Sequence, residues 1–259
     1  MTTVSEHRSG AARNHPFRRL LLTELRLFLR EPMLVFWGLV FPVALLVILG
    51  AASSGKPDKA LGGLRLIVVY TPVVILFTLT MTSISALPAA LSSYRDKGYL
   101  RRLSTTPVGA VRLLAAQLVI TLTLTVCVVI LLLVVARLAF SVAFPQAPLS
   151  FALAILLVAA AMLSLGTLIA AVAPTQRMAG VIGSLLFFPL MFFAGLWVPQ
   201  AAMSPALRTI SRFTPLGAGD PALQSAIAGQ WPGTGHILVL LAYVAILCTA
   251  AARLFRWER

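Results

Sequence analysis

The residues that could bind a ligand or break a bond are few. Gly50-Ala51-Ala52-Ser53-Ser54-Gly55-Lys56-Pro57 comes close to a phosphate-binding loop. Such a loop cradles phosphates on backbone N–H groups, reaches them with Lys, and holds a metal ion on the Ser or Thr that follows. Pro57 has no hydroxyl to offer, and the stretch follows a long apolar run rather than a strand. His7, His15 and His236 lie far apart without metal-ligand spacing, and no Ser, His and Asp set is arranged for nucleophilic catalysis. Cys127 and Cys248 sit inside apolar runs and read as small apolar side chains. Of the seven acidic residues, Asp220 is the nearest to a proton-carrying carboxylate, but its place before Pro221-Ala222-Leu223 reads as a helix cap. The expectation is a chain with no catalytic residue, no metal site and no bound cofactor.

Composition gives the elements around these residues. The chain has 259 residues, 59% hydrophobic and 11% charged, against about 25% charged in a soluble domain. Pro32–Gly55, Leu66–Tyr94, Leu113–Ala136, Leu138–Gln176, Met178–Leu207 and Pro221–Ala252 contain no Asp, Glu, Lys or Arg. A membrane-spanning helix takes about 20 apolar residues, at about 1.5 Å each across a core of about 30 Å. The predicted fold is therefore an all-α membrane protein with six transmembrane helices, near 34–52, 66–91, 113–136, 151–172, 179–197 and 233–252. Residues 1–14 are expected to form a flexible tail, since Met1–His15 is polar and is not a signal peptide. Residues 15–31 form an interfacial helix and 32–259 a single transmembrane domain.

The net charge of +14 does not point to nucleic acid, because the basic residues lie between apolar runs and not in a patch with aromatics. One set of alternate connections, with both termini, carries 15 Lys and Arg, and the other set carries six. Cytoplasmic flanks are enriched in these residues. Both termini and the Tyr94–Arg112 connection are thus expected in the cytoplasm.

Three segments are not spans. In His15–Arg30, Phe17, Leu20, Leu21, Glu24, Leu25 and Phe28 share one side, with Arg18, Arg19, Arg26 and Arg30 over the rest, and Pro32 ends the pattern. That arrangement suits a helix lying on a lipid surface. In Ser92–Val108, Leu100 and Leu103 share a face, Arg101 and Arg102 point elsewhere, and Pro107 stops the helix. Such a helix can rest on headgroups or dock into a groove on a cytoplasmic partner. In Val198–Gln230, Leu207, Ile210 and Phe213 recur at three-residue spacing with Arg208 and Arg212 opposite, among many Pro and Gly. It reads as short helices at the outer interface, dipping into the bilayer only where protein or water covers the backbone.

Three stretches resemble the permease subunits of ABC-2 type transporters, in particular those of the daunorubicin-resistance drug-export type. The first is Glu24-Leu25-Arg26-Leu27-Phe28-Leu29-Arg30-Glu31-Pro32 followed by Phe36-Trp37 and Phe41-Pro42, similar to the family's entry helix. The second is Arg95-Asp96-Lys97-Gly98-Tyr99-Leu100-Arg101-Arg102-Leu103 with Thr106-Pro107, similar to its cytoplasmic signature. The third is Phe193-Ala194-Gly195-Leu196-Trp197-Val198-Pro199 with Phe213-Thr214-Pro215-Leu216, similar to its outer re-entrant segment. The resemblance implies a dimer of permeases above two ABC ATPase subunits, which hold the ATP and Mg. Those ATPases would contact the entry helix and the Arg95–Leu103 segment, and the transport would be export. The residues alone leave a second possibility, an ion-driven carrier using polar groups such as Thr78, Thr80, Thr82, Ser83 and Ser85, or Thr121, Thr123 and Thr125.

Overall fold

The computed structural model describes residues 32–53, 57, 61, 63–89, 91 and 109–254. The interfacial helix at 15–31 and the coupling segment at 92–108 lie outside these residues, as do Glu24, Arg26, Phe28, Arg30 and everything from Arg95 to Pro107. Among the described residues the elements are helices. Helix α1 runs Pro32–Ala52, α2 starts at Leu66 and continues to Ala89, and α3 is Gly109–Phe140. Then follow α4 (Pro148–Val172), α5 (Gln176–Phe193), α6 (Pro205–Arg212), α7 (Pro215–Ile227) and α8 (Thr234–Leu254). Among the described residues five helices are long and apolar enough to cross a membrane, and Phe36–Ala52 within α1 is a shorter apolar stretch. The expected spans lie within a few residues of these helices, and the largest difference is in α3, which extends to Phe140.

Two helices change pitch at one proline spacing. One π-helical turn, Phe36–Val40, precedes Pro42 in α1, and another, Thr82–Ala86, precedes Pro88 in α2. A proline has no N–H and its ring presses on the carbonyl four residues back. Those carbonyls belong to Gly38 and Ile84, and each falls inside the widened turn.

Among the described residues the largest part of the core is an apolar cluster around α2, with two smaller clusters beside it. Val74, Ile75, Leu76 and Leu79 are buried against Leu46 of α1, Leu132 of α3, Met162 of α4 and Leu216 and Leu223 of α7. By contrast α8 is mostly exposed, as are the faces of α3 and α5 carrying Ile130, Leu138, Leu185 and Phe188. In a membrane these faces meet lipid or another chain.

Hydroxyl side chains close on their own helices. Thr78 and Thr80 donate to the carbonyls of Val74 and Leu76 at 3.0 and 2.7 Å, and Thr125 to that of Thr121 at 2.8 Å. Thr82 and Thr123 do likewise. A hydroxyl committed in this way serves packing.

Close helix contact depends on Gly166 of α4, where an added Cβ would strike the Ser83 carbonyl at the π turn of α2. We expect Gly166→Ala to lower the stability of the purified protein by about 1–3 kcal/mol. Gly235→Ala, where a Cβ meets open space, should cost nothing. Thermal melts of the two variants in one detergent check this, and equal melts would refute the close-contact role.

Candidate functional site

Arg65 and the connections at 140–148 and 194–234 meet at one end of the bundle. Arg65 donates to the carbonyls of Phe140 and Ser141 at 3.3 and 3.4 Å, which ties the start of α2 to the end of α3. A cation there also suits the negative end of the α3 dipole. The Ser150 hydroxyl donates to Gln230 O at 2.8 Å, and Gln146 N donates to Ile227 O at 3.3 Å.

At this end α5 gives way to a folded-back segment that leads to Pro215. Gly195 takes φ +92°, in the left-handed region. Its N–H donates to Phe192 O at 3.0 Å and the next N–H, of Leu196, donates to Met191 O at 3.1 Å. This is a Schellman stop, which favours glycine because no Cβ is present to clash. The Phe193 carbonyl, which the helix can no longer satisfy, accepts from Ser211 Oγ at 2.9 Å and Gln200 Nε2 at 3.0 Å. Pro199 precedes the short turn Gln200–Ala202 that presents this glutamine.

Helix α6 starts at Pro205, and Arg208 folds back onto the carbonyls of Gln200, Ala201 and Met203 at 3.2, 2.7 and 3.3 Å. Ile210 and Phe213 are exposed, and the residue turned inward is Ser211. The apolar stripe read from the sequence thus faces away from the bundle, as an interfacial helix requires.

Helix α7 is the correction to the sequence reading. The expected cap at Asp220 does not exist. Thr214 caps the helix, accepting from Gly217 N at 3.1 Å, and Pro215 occupies the first turn. Asp220 lies mid-helix and is 2% exposed. The whole of α7 is sunk into the bundle against α4, α8 and α2, with Leu216, Ala218, Ala222 and Leu223 buried. Its entry is possible because Gly217 and Gly219 let the backbone close on Ser211 and on Val158. Pro221 leaves the Gly217 carbonyl without its helical donor, and Gln200 Nε2 supplies one at 3.1 Å. Asp220 Oδ2 accepts from Gln224 Nε2 at 2.8 Å, while Oδ1 has no partner. Among the described residues Asp220 forms no ion pair, and burial pushes its carboxyl up to about 7.

The second feature is an aromatic cleft of about 700 Å³ between α1, α2, α5 and the chain after α5. Trp37, Phe41, Phe77, Phe187, Phe188 and Trp197 form a continuous path, with successive ring centroids 5.0, 5.1, 5.6, 5.7 and 6.0 Å apart. Gly180 and Gly183 make room on the α5 wall, and Ser85 and Ser184 supply hydroxyls. Both π turns contribute to the cleft, through Trp37 and through Ile84 and Ser85. Among the described residues, no Asp, Glu, Lys, Arg or His lines it. Such a surface holds an apolar or amphipathic molecule by contact area and ring faces.

A family model described as ABC-2 type transporter matches residues 15–227. The chain belongs to the ABC-2 type transporter family. A Bacillus subtilis (strain 168) protein that carries the name "Putative transport permease YvfS" is 23% identical over 227 residues, covering 87% of this chain and 91% of that protein. The chain is thus a multi-pass membrane transport permease. Of the residues the sequence singled out, Pro32, Gly195, Pro199, Phe213 and Pro215 lie among those described, and the last four belong to one folded-back segment. Phe77, Phe187 and Phe188 were not anticipated, because an aromatic residue inside a span carries no mark of which neighbour it meets. Gln200 and Gln224 were missed too, although a glutamine beside a Pro- and Gly-rich turn is a usable sign of a backbone clamp.

Asp220 belongs to a helix of 13 residues, outside the spans, and its linkage has a definite sign. Its folded value exceeds the unfolded one, so its stabilising contribution is complete below about pH 4 and declines as pH rises through about 7. We expect the melting temperature to fall between pH 5 and 8, by an amount equivalent to roughly 2–3 kcal/mol. Asp220→Asn should flatten that slope. An unchanged slope in the variant would show that another group sets it.

Proposed function

We propose that this chain is the permease subunit of an ATP-driven exporter, with two copies meeting across the aromatic cleft and separate ATPase subunits supplying the energy. The observation that carries this reading is the cleft itself. It is large, lined by rings, free of titratable side chains, and rimmed by exposed Phe36, Trp37, Phe188 and Trp197. An exposed aromatic face of this kind marks a binding or subunit surface. It suits a hydrophobic, drug-like or lipid-like cargo passing between two copies in the cell membrane, with lipid around the outer helices. The ATPase partner is supported by family membership and by the chain's own lack of a complete phosphate-binding motif.

In this reading the 15-to-6 division of Lys and Arg places both termini and residues 92–108 in the cytoplasm, and the re-entrant end outside. The ATPases would then dock on Arg95, Asp96, Lys97, Gly98, Leu100, Arg101, Arg102, Leu103 and Pro107, with Leu as anchor and Arg as rim. The entry helix containing Glu24, Arg26, Phe28 and Arg30, ahead of Pro32, would lie beside them. ATP binding closes the ATPase pair, the docked helices move with it, and the spans lining the cleft rearrange. The buried carboxyl of Asp220 favours a second reading, a carrier driven by an ion gradient, since such proteins keep ionisable groups away from water.

The first test is purification together with an ATPase. Leu100→Asp with Leu103→Asp should abolish co-purification and coupled ATP hydrolysis, and undiminished hydrolysis would sink the docking role. Phe187→Ala should leave assembly intact and weaken cargo-stimulated hydrolysis roughly tenfold, as expected for losing one ring contact of about 1.4 kcal/mol. Transport by the chain alone in sealed vesicles without nucleotide would establish the carrier instead.

A further inference from the structure

Two hydroxyls on the wall of the aromatic cleft differ from those elsewhere in the bundle. Thr78, Thr82, Ser164 and Thr249 each donate to the carbonyl four residues back, at 3.0, 2.8, 2.7 and 2.7 Å. Ser85 of α2 and Ser184 of α5 line the cleft and are exposed. Neither side chain forms a hydrogen bond among the described residues. The indole N–H groups of Trp37 and Trp197 are also unbonded there, but an indole only donates, whereas a hydroxyl donates and accepts.

The two serines flank one helix contact. An added Cβ on Gly183 would strike the side chain of Ile84, so α5 touches α2 at its π turn. Ser184 and Ser85 are the next residues in each chain segment, one on either wall. Leu64 and Val69, at the start of α2, share a small cavity with Ala194 and Gly195 at the α5 stop. Helices α2 and α5 therefore run in opposite directions along the cleft. Phe77 lies eight residues before Ser85, which at about 1.5 Å per residue is about 12 Å nearer the Gly195 end. Phe188 lies four residues after Ser184, about 6 Å nearer the same end. The cleft thus has a ring end and a hydroxyl end.

That polarity limits what can lie in it. A carboxylate or an ammonium would lose its water and find no group of opposite charge among the described lining residues. A plain hydrocarbon would leave the serine hydroxyls dry and unpaired. An uncharged molecule with rings at one end and an oxygen at the other satisfies both parts. We propose that Ser85 and Ser184 form a hydrogen-bonding handle in the cleft, so that the cargo is an uncharged ring compound carrying a hydroxyl or carbonyl oxygen. This rests on the reading of the cleft as the cargo site. It also sets the cargo's orientation, with the rings among Phe77, Phe187 and Phe188 and the oxygen away from the Gly195 end.

The test is equilibrium dialysis of tritiated naphthalene, 2-naphthol and 2-naphthoate against the full chain purified in detergent at pH 7, with protein-free micelles as the blank. The probes share one ring system and differ only in the polar end. The quantity read is the affinity for 2-naphthol divided by that for naphthalene. Ser85→Ala with Ser184→Ala should lower this ratio roughly 3- to 10-fold, as expected for a lost hydrogen bond. Naphthalene should stay bound to that variant, which shows that it is folded. Phe187→Ala should weaken both probes and keep the ratio. Thr249→Ala, which removes an exposed hydroxyl from α8, should change neither affinity. 2-Naphthoate should bind at least about tenfold more weakly than 2-naphthol. If naphthalene binds but the serine variant leaves the ratio unmoved, or if 2-naphthoate binds as well as 2-naphthol, the handle is overturned and the cleft survives as the cargo site. If neither neutral probe binds, both are overturned.

Discussion

A carbonyl left without a donor inside an apolar bundle costs roughly 1–3 kcal/mol, and the chain after α5 is arranged around that constraint. Ending α5 and turning the backbone inward strands the carbonyl of Phe193, and placing Pro221 inside α7 strands that of Gly217. One side chain, Gln200, donates to both. Ser211 adds a second donor to Phe193 O, and Gly195 allows the left-handed turn that brings these groups together. Backbone groups freed inside an apolar bundle persist only where protein covers them. Here a glutamine and a serine supply the cover, and α7 can sit among α2, α4 and α8 with its apolar residues buried.

The same constraint shapes the cleft from the other side. Pro42 and Pro88 cannot donate, and each is preceded by a widened turn that reaches the cleft wall. The π turn of α1 carries Trp37 and that of α2 carries Ile84 and Ser85. A regular α-helix presses each side chain toward the preceding turn. A π turn shifts the following residues around the axis, and such turns recur at functional sites. Opposite them, Gly180 and Gly183 open space on α5, and Gly183 also admits Ile84. The cavity follows from prolines on two walls and glycines on the third.

The apolar helices were legible because a run without charge leaves few alternatives: among the described residues the six runs contain five helices long enough to cross a membrane and one shorter. The Gly195–Pro199 stop was legible for a similar reason, since Gly and Pro limit the backbone locally. Asp220 was misread because local rules favoured a cap before Pro221, whereas tertiary packing draws the whole of α7 inward. Thr214-Pro215 satisfies the same capping rule six residues earlier, and nothing local says which site prevails. The aromatic path escaped notice because its members lie in α1, α2 and α5 and meet only once the bundle has formed.

The two ends of this protein carry different kinds of information. The re-entrant end is specified by directional bonds: Gln200 to two carbonyls, Arg208 to three, Arg65 to two. Such bonds fix one arrangement, and an end held this way moves as a unit when it moves at all. The cleft is specified by ring contacts and glycine spacing, whose energies vary slowly with a small displacement. Along α1, α2 and α5 the walls meet through rings such as Phe41–Phe77 and Phe77–Phe187, whereas Gln200 bonds α7 to the α5 stop.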